Sequence, residues 1–164
     1  MGQLKEQLIK QIDEAHALEQ NVLRMLDGMI ADTDDPQILD ALEHHRLQTQ
    51  GHADRMAERL EAHDAAPSTV KQFGGVLGAL AKLPLDFVRG EKAGRNARDA
   101  YASEHLEIAS YELLRRIAEK AGDEETAQAA REIIEEEKAM ANLIADNWDT
   151  FVELSLKEEG ITVQ

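Results

Sequence analysis

Glu104-His105-Leu106-Glu107-Ile108-Ala109-Ser110-Tyr111 is the stretch on which the reading of this chain turns. Its composition favours helix, and residues three or four apart then share a face. One stripe therefore runs Glu104, then Glu107 or Ile108, then Tyr111 and Leu114. Carboxylates stand where an amphipathic helix normally carries its apolar face.

The same pattern recurs three times outside this stretch. A first helix, A, is predicted over 4–31, with the stripe Ile12, His16, Glu19, Leu23, Leu26. Helix B is predicted over 36–63, with Leu42, His45, Gln48 or Thr49, His52, Met56. The Glu104 stripe belongs to helix C, 94–121, and helix D, 123–156, carries Ile133, Glu137, Met140, Ile144. Each stripe is apolar at both ends and polar in the middle. Glu19, Gln48, Glu104 and Glu137 fall about 10 to 15 residues into their helices, roughly 15–22 Å at about 1.5 Å per residue. Mid-length positions meet in an antiparallel bundle whichever way each helix points, so the four polar segments are predicted to form one belt.

The punctuation fits this division. Asp32-Thr33-Asp34-Asp35-Pro36 closes helix A and starts helix B, with Pro36 in the first turn. Ala66-Pro67-Ser68 stops helix B, and Gly122 follows helix C as a C-cap. Residues 68–93 hold Gly74, Gly75, Gly78 and Gly90 and few charges. They read as a long crossover with a short extra helix, Thr69 to Leu83, broken by Pro84, whose apolar side suits a contact in a homodimer. The tail from Lys157 is expected to fray. Hairpin, crossover, hairpin is the connectivity of a ferritin-like antiparallel four-helix bundle, so the expected fold is all-α and the 164 residues form one domain.

Composition narrows the chemistry. Aromatic residues make up 4% of the chain and charged residues 31%, which favours long helices over sheets. The formal net charge of -15 repels nucleic acid and anionic lipid, so neither is an expected partner. With no cysteine, disulfides, thiolate catalysis and cysteine-ligated metal centres are excluded. The most apolar stretch, Phe73 to Val88, is too short and too interrupted to span a bilayer. The N-terminus is charged and amphipathic, unlike a signal peptide, so the cytoplasm is the expected compartment.

Several carboxylates in an apolar core are costly unless each is compensated, and the stripes offer few basic partners. Two explanations stand side by side. A metal cluster holds the carboxylates ionised, or some Glu keep their protons and the histidines supply donors. The metal reading takes Glu19, Gln48, His52, Glu104, Glu107 and Glu137 as candidate ligands. It takes His16, His45 and Tyr111 as outer partners that orient them. Oxygen and imidazole donors suit iron or manganese, and zinc also binds such sets. Glu135, Glu136, His44 and His63 are expected to face solvent.

Residues 104–111 also resemble the E-H-x-E-I-A-x-Y signature of the YciE/YciF-type ferritin-like family. Arg131-Glu132 with Glu135-Glu136-Glu137-Lys138-Ala139 is similar to that family's R-E-x-x-x-E-E-K-A segment. Leu18-Glu19-Gln20 and His45 to Arg55 lie where the family has A-E-K/Q and H-x-x-E-T-x-G-Q-x-x-R. The resemblance covers most of the chain and is weakest across the crossover. It implies a ferritin-like fold, a di-metal centre and a bacterial stress association, without a substrate. The chain departs from the pattern at Gln48, where the family has Glu, at His52, where it often has Gln, and at Ala141, where some members have Asp. These departures bear most on a second metal. Oxidation of Fe(II), or peroxide scavenging, is the expected chemistry. A non-catalytic bundle with a metal-free polar core, acting through protein contacts, and a metal store or sensor without turnover are the alternatives.

Overall fold

The computed structural model describes residues 2–68 and 92–162. Among them are five helices: α1 (Gly2–Asp32), α2 (Pro36–Ala62), α3 (Lys92–Ala121), α4 (Glu124–Ala145) and α5 (Trp148–Glu158). The crossover helix and its dimer contact, expected between Thr69 and Leu83, lie outside the described residues.

Short connections fold the chain into two antiparallel hairpins. Asp35 caps α2 by accepting from the Gln37 and Ile38 amides at 3.0 and 3.1 Å, with Pro36 next in line. Gly122 takes the left-handed conformation (φ 74°), which lets the Asp123 amide reach back to the Ala118 carbonyl at 3.0 Å. Asp123 then caps α4 through the Thr126 amide at 3.0 Å. Helix α1 packs on α2 and α3, α3 packs on α4, and α2 meets α4 across the remaining side.

The expected single helix over 123–156 is two helices. It breaks at Asp146-Asn147, where the Asn147 side chain donates to the Leu143 carbonyl at 2.7 Å. The chain then turns so that Trp148 packs edge-on against Tyr101 of α3, with ring centroids 5.7 Å apart. Farther along, α5 leans on the start of α3. The Gly94 amide donates to Ser155 Oγ at 2.7 Å, and a Cβ at Gly94 would lie 2.6 Å from that oxygen. Docking, not a helix-breaking residue, sets this bend. The helix also continues through Glu158, past the point where fraying was expected.

The apolar core is divided. One cluster holds Leu8, Ile12, Met56, Leu60, Leu114 and Ile133, and the other holds Leu18, Leu26, Met29, Leu42 and Ile144. Between them sits the polar belt. Glu19, His45, Thr49, His52, Glu104, Glu107 and Glu137 are all buried.

Candidate metal centre

Each helix of the bundle proper contributes to the belt. α1 supplies Glu19, α2 supplies His45 and His52, α3 supplies Glu104 and Glu107, and α4 supplies Glu137. His45 and His52 are seven residues apart, two turns, so their rings share a face with Thr49 between them. Thr49 Oγ1 donates to the His45 carbonyl at 3.0 Å and is satisfied within its own helix.

These side chains form two groups that share Glu137. Glu19, His52 and Glu137 each offer a ligand atom within 4.8 Å of the others, and so do His45, Glu104 and Glu137. His52 Nδ1 lies 2.9 Å from Glu137 Oε1 and 3.7 Å from Glu19 Oε1. His45 Nε2 lies 2.9 Å from Glu104 Oε1 and 3.8 Å from Glu137 Oε2. Neither 2.9 Å approach has the alignment of a hydrogen bond. His45 Nε2, His52 Nδ1, Glu19 Oε2 and both oxygens of Glu104 and Glu137 remain without a hydrogen-bond partner, as does Glu107 Oε1. Orphaned buried groups on this scale are rare in a folded protein and call for a physical cause.

The outer contacts are better satisfied. Tyr111 donates to Glu19 Oε1 at 2.5 Å and leaves Oε2 free. Ser103 Oγ lies 3.4 Å from Glu107 Oε2. His52 Nε2 lies 2.7 Å from Glu136 Oε2.

Burial controls the electrostatics. It pushes Glu19 up to about 8, and Glu137 adds to the rise while His52, Tyr111 and Glu107 oppose it. Burial and the neighbouring Glu137 hold Glu104 well above the usual carboxylate range, and burial with Glu19 does the same for Glu107. Burial would raise Glu137 as well, but His52, Glu104 and His45 keep it low. Burial alone would lower His52, yet Glu137, Glu19 and Glu136 raise it to about 9. Burial lowers His45 despite Glu137. Without metal at neutral pH, the belt therefore sets an ionised Glu137 against a His52 cation. Burial disfavours the charged forms of Glu104 and Glu107.

The donor set fits metal. Imidazole nitrogens and carboxylate oxygens suit iron, manganese or zinc. The charge on the four buried glutamates, once ionised, equals that of two divalent cations. A cation entering the site would replace protons that burial favours on these carboxyls.

Sequence reasoning located most of this ring. Glu19, His52, Glu104 and Glu137 fall within the two groups, and Glu107 is buried with them. Gln48 is not. It is half-buried beside His45, and His45, expected as an outer partner, takes the inner position one turn earlier. The cause is the phase of α2, which turns Thr49 rather than Gln48 inward. His16 is half-buried away from both groups, with Asp13 and Asp54 as its charged neighbours; burial lowers it. Tyr111 meets the belt through its hydrogen bond to Glu19. Glu136 was missed, and its adjacency to Glu137 in a run of three glutamates concealed it. His63, expected at the surface, is largely covered and pairs with Asp123 Oδ2 at 2.7 Å.

Two antiparallel hairpins around a mid-height belt of carboxylates and histidines define a ferritin-like four-helix bundle. The chain belongs to the family described as Domain of unknown function (DUF892), which it matches over residues 3–157, and is of the YciE/YciF type. Among solved structures it is similar to a protein from Xanthomonas campestris pv. campestris. The two are 26% identical, with 97% of this chain and 99% of that chain covered, at a TM-score of 0.80. It is also similar to the Escherichia coli stress protein YciF, with 23% identity, 93% and 99% coverage and a TM-score of 0.78. A ferritin-like, diiron-carboxylate protein from Bacillus anthracis has 20% identity, 90% and 99% coverage and a TM-score of 0.74. Among the described residues, no helix is long and apolar enough to cross a membrane.

Proposed function

We propose that the belt holds two metal ions, iron or manganese, and that the protein oxidises Fe(II) or removes peroxide. The observation that carries this reading is the set of orphaned donor atoms. Ring nitrogens and carboxylate oxygens crowd together without aiming at one another, as ligands sharing a cation do. Glu19, His52 and Glu137 would hold one ion, and His45, Glu104 and Glu137 the other, with Glu107 beside Glu19 as a further oxygen donor. When bound, such a pair would supply two electrons, one from each Fe(II), enough with two protons to turn one hydrogen peroxide into two waters.

The chain's own residues perform the remaining tasks. Glu137 offers a ligand atom to both groups. Tyr111 holds Glu19 by one oxygen, so that the other faces inward. The apolar clusters above and below keep water from the belt. Glu104 and Glu107 release protons when metal enters and can take them back when it leaves.

The second reading is a metal-free bundle acting through protein contacts in stress response. Its support is that burial favours the neutral forms of Glu104 and Glu107, while His52 and Glu137 offset one another as opposite charges. Elemental analysis after anaerobic Fe(II) loading and desalting separates the two. About two ions per chain is the expected result, and none retained supports the second reading. Fe(II)-dependent consumption of oxygen or peroxide then distinguishes turnover from storage or sensing.

A further inference from the structure

Glu135, Glu136 and Glu137 are consecutive, and successive residues of a helix point about 100° apart. Glu137 faces the core. Glu135 faces solvent, where Lys138 pairs with it at 2.9 Å. Glu136 lies between these directions, in the seam where α4 meets α2, with its side chain 41% exposed. There its Oε2 sits 2.7 Å from His52 Nε2. The other ring nitrogen of His52 faces Glu137 and Glu19. The two nitrogens of an imidazole point in nearly opposite directions, so Glu136 is outside the belt and touches it only through the His52 ring.

From this geometry we infer that Glu136 is a positioning residue for the proposed metal centre, keeping a proton on His52 Nε2 so that the Nδ1 lone pair faces the ion. A neutral imidazole carries one proton, and a carboxylate accepting it at one nitrogen leaves the other free to ligate. The same contact fixes the ring's rotation and makes its inner nitrogen more electron-rich. His45 provides the internal contrast. Its polar neighbour outside the two groups is the uncharged Gln48, whose contact raises the ring while burial lowers it. Among the described residues, only the His52 half of the centre therefore has a carboxylate behind its imidazole.

A purely architectural role would make Glu136 one rung of a ladder along the seam. Arg55 and Glu132 form the adjacent rung at 2.6 Å, and Arg59 and Asp123 another at 3.0 Å. The Arg55–Glu132 rung touches no belt residue and serves as the control.

The inference rests on the two-ion reading, and zinc alone is a suitable probe because it is diamagnetic and accepts the same donors. Zinc affinity would be measured by chelator competition on the full chain and on Glu136→Ala, Glu136→Gln and Glu132→Ala, with melting curves to verify folding. The expected result is that Glu136→Ala weakens one of the two ions 10–100-fold, the usual effect of losing such a partner. Glu136→Gln, whose amide oxygen still accepts the ring proton, restores much of that loss, and Glu132→Ala binds like the unsubstituted protein. Nitrogen-15 spectra of the zinc-loaded protein should show a His52 Nε2 proton protected from exchange, and Glu136→Ala should lose that protection. Equal affinities in Glu136→Ala and the unsubstituted protein would overturn the inference, as would equal weakening by Glu132→Ala. Failure of the unsubstituted protein to retain zinc would instead overturn the two-ion reading, and the inference with it.

Discussion

Two regions of this bundle bury charge, and they do it in opposite ways. At the turn between α3 and α4, Asp123 is fully employed. It accepts from the Thr126 amide and hydroxyl, from Arg59 Nη2 at 3.0 Å and from His63 Nε2 at 2.7 Å. Burial would raise it, but Thr126, His63 and Arg59 bring it down to about 2. In the belt, Glu19, Glu104 and Glu107 are raised by the same burial because cationic partners are scarce. The corner is an ordinary stabilising device. The belt leaves its donors poorly satisfied, which fits a site shaped for cations that arrive later.

The sharpest way to break this contrast is to remove the shared belt residue. Glu137→Ala is expected to lose both ions, because Glu137 belongs to both groups. Elemental analysis after loading is the check, and retention of two ions would dissolve the distinction.

The corner should respond in stability. Asp123→Ala is expected to destabilise the fold by about 2–3 kcal/mol in urea titration, through loss of a helix cap and a charge-assisted network. Metal binding should be unaffected. The pH signature follows from the depressed Asp123 value. Its contribution is complete above its ordinary value of 3.8 and is lost as pH falls through about 2.

The belt should show the opposite dependence. Glu19 is raised from 4.5 to about 8 and His52 from 6.5 to about 9. In both cases the folded state binds protons more tightly than the unfolded chain. Metal-free stability is therefore expected to fall as pH rises from about 5 to about 9. Metal loading should release more than one proton per chain and should strengthen with pH over the same interval. Melting temperatures with and without metal, and proton release followed by an indicator dye, test both signs.

The smallest effect sharpens the comparison most. Glu107→Gln resembles the protonated acid, so it should leave metal-free stability almost unchanged at pH 5. As pH rises it should gain stability relative to the unsubstituted protein, because the unfolded chain frees the Glu107 proton that burial and Glu19 hold in the folded state. A loss of stability at pH 9 would show that Glu107 is as well satisfied as Asp123.

Much of this was legible in the chain. The stripes of Leu8, Ile12, Met56, Leu60, Leu114 and Ile133 identify four long amphipathic helices. Glu19, Glu104 and Glu137 interrupt them at one level because a helix advances by a constant rise. On helix B the pattern was ambiguous. His45, Gln48, Thr49 and His52 all lie near one face, and a rotation of a few tens of degrees decides which point inward. That rotation is set by packing against the rest of the bundle, and it buries His45 and Thr49 while leaving Gln48 half-buried.

Local sequence, then, specified the four helices of the bundle, capping at Asp35 and Asp123, and the height of the belt, since each depends on backbone geometry and nearby residues alone. Packing between distant segments settled the rest. The bend at Asn147 arises where Trp148 finds Tyr101 and Ser155 finds Gly94, and the role of Glu136 arises where α4 meets α2. Those contacts join residues tens of positions apart, and periodicity along a single helix carries no record of what faces it.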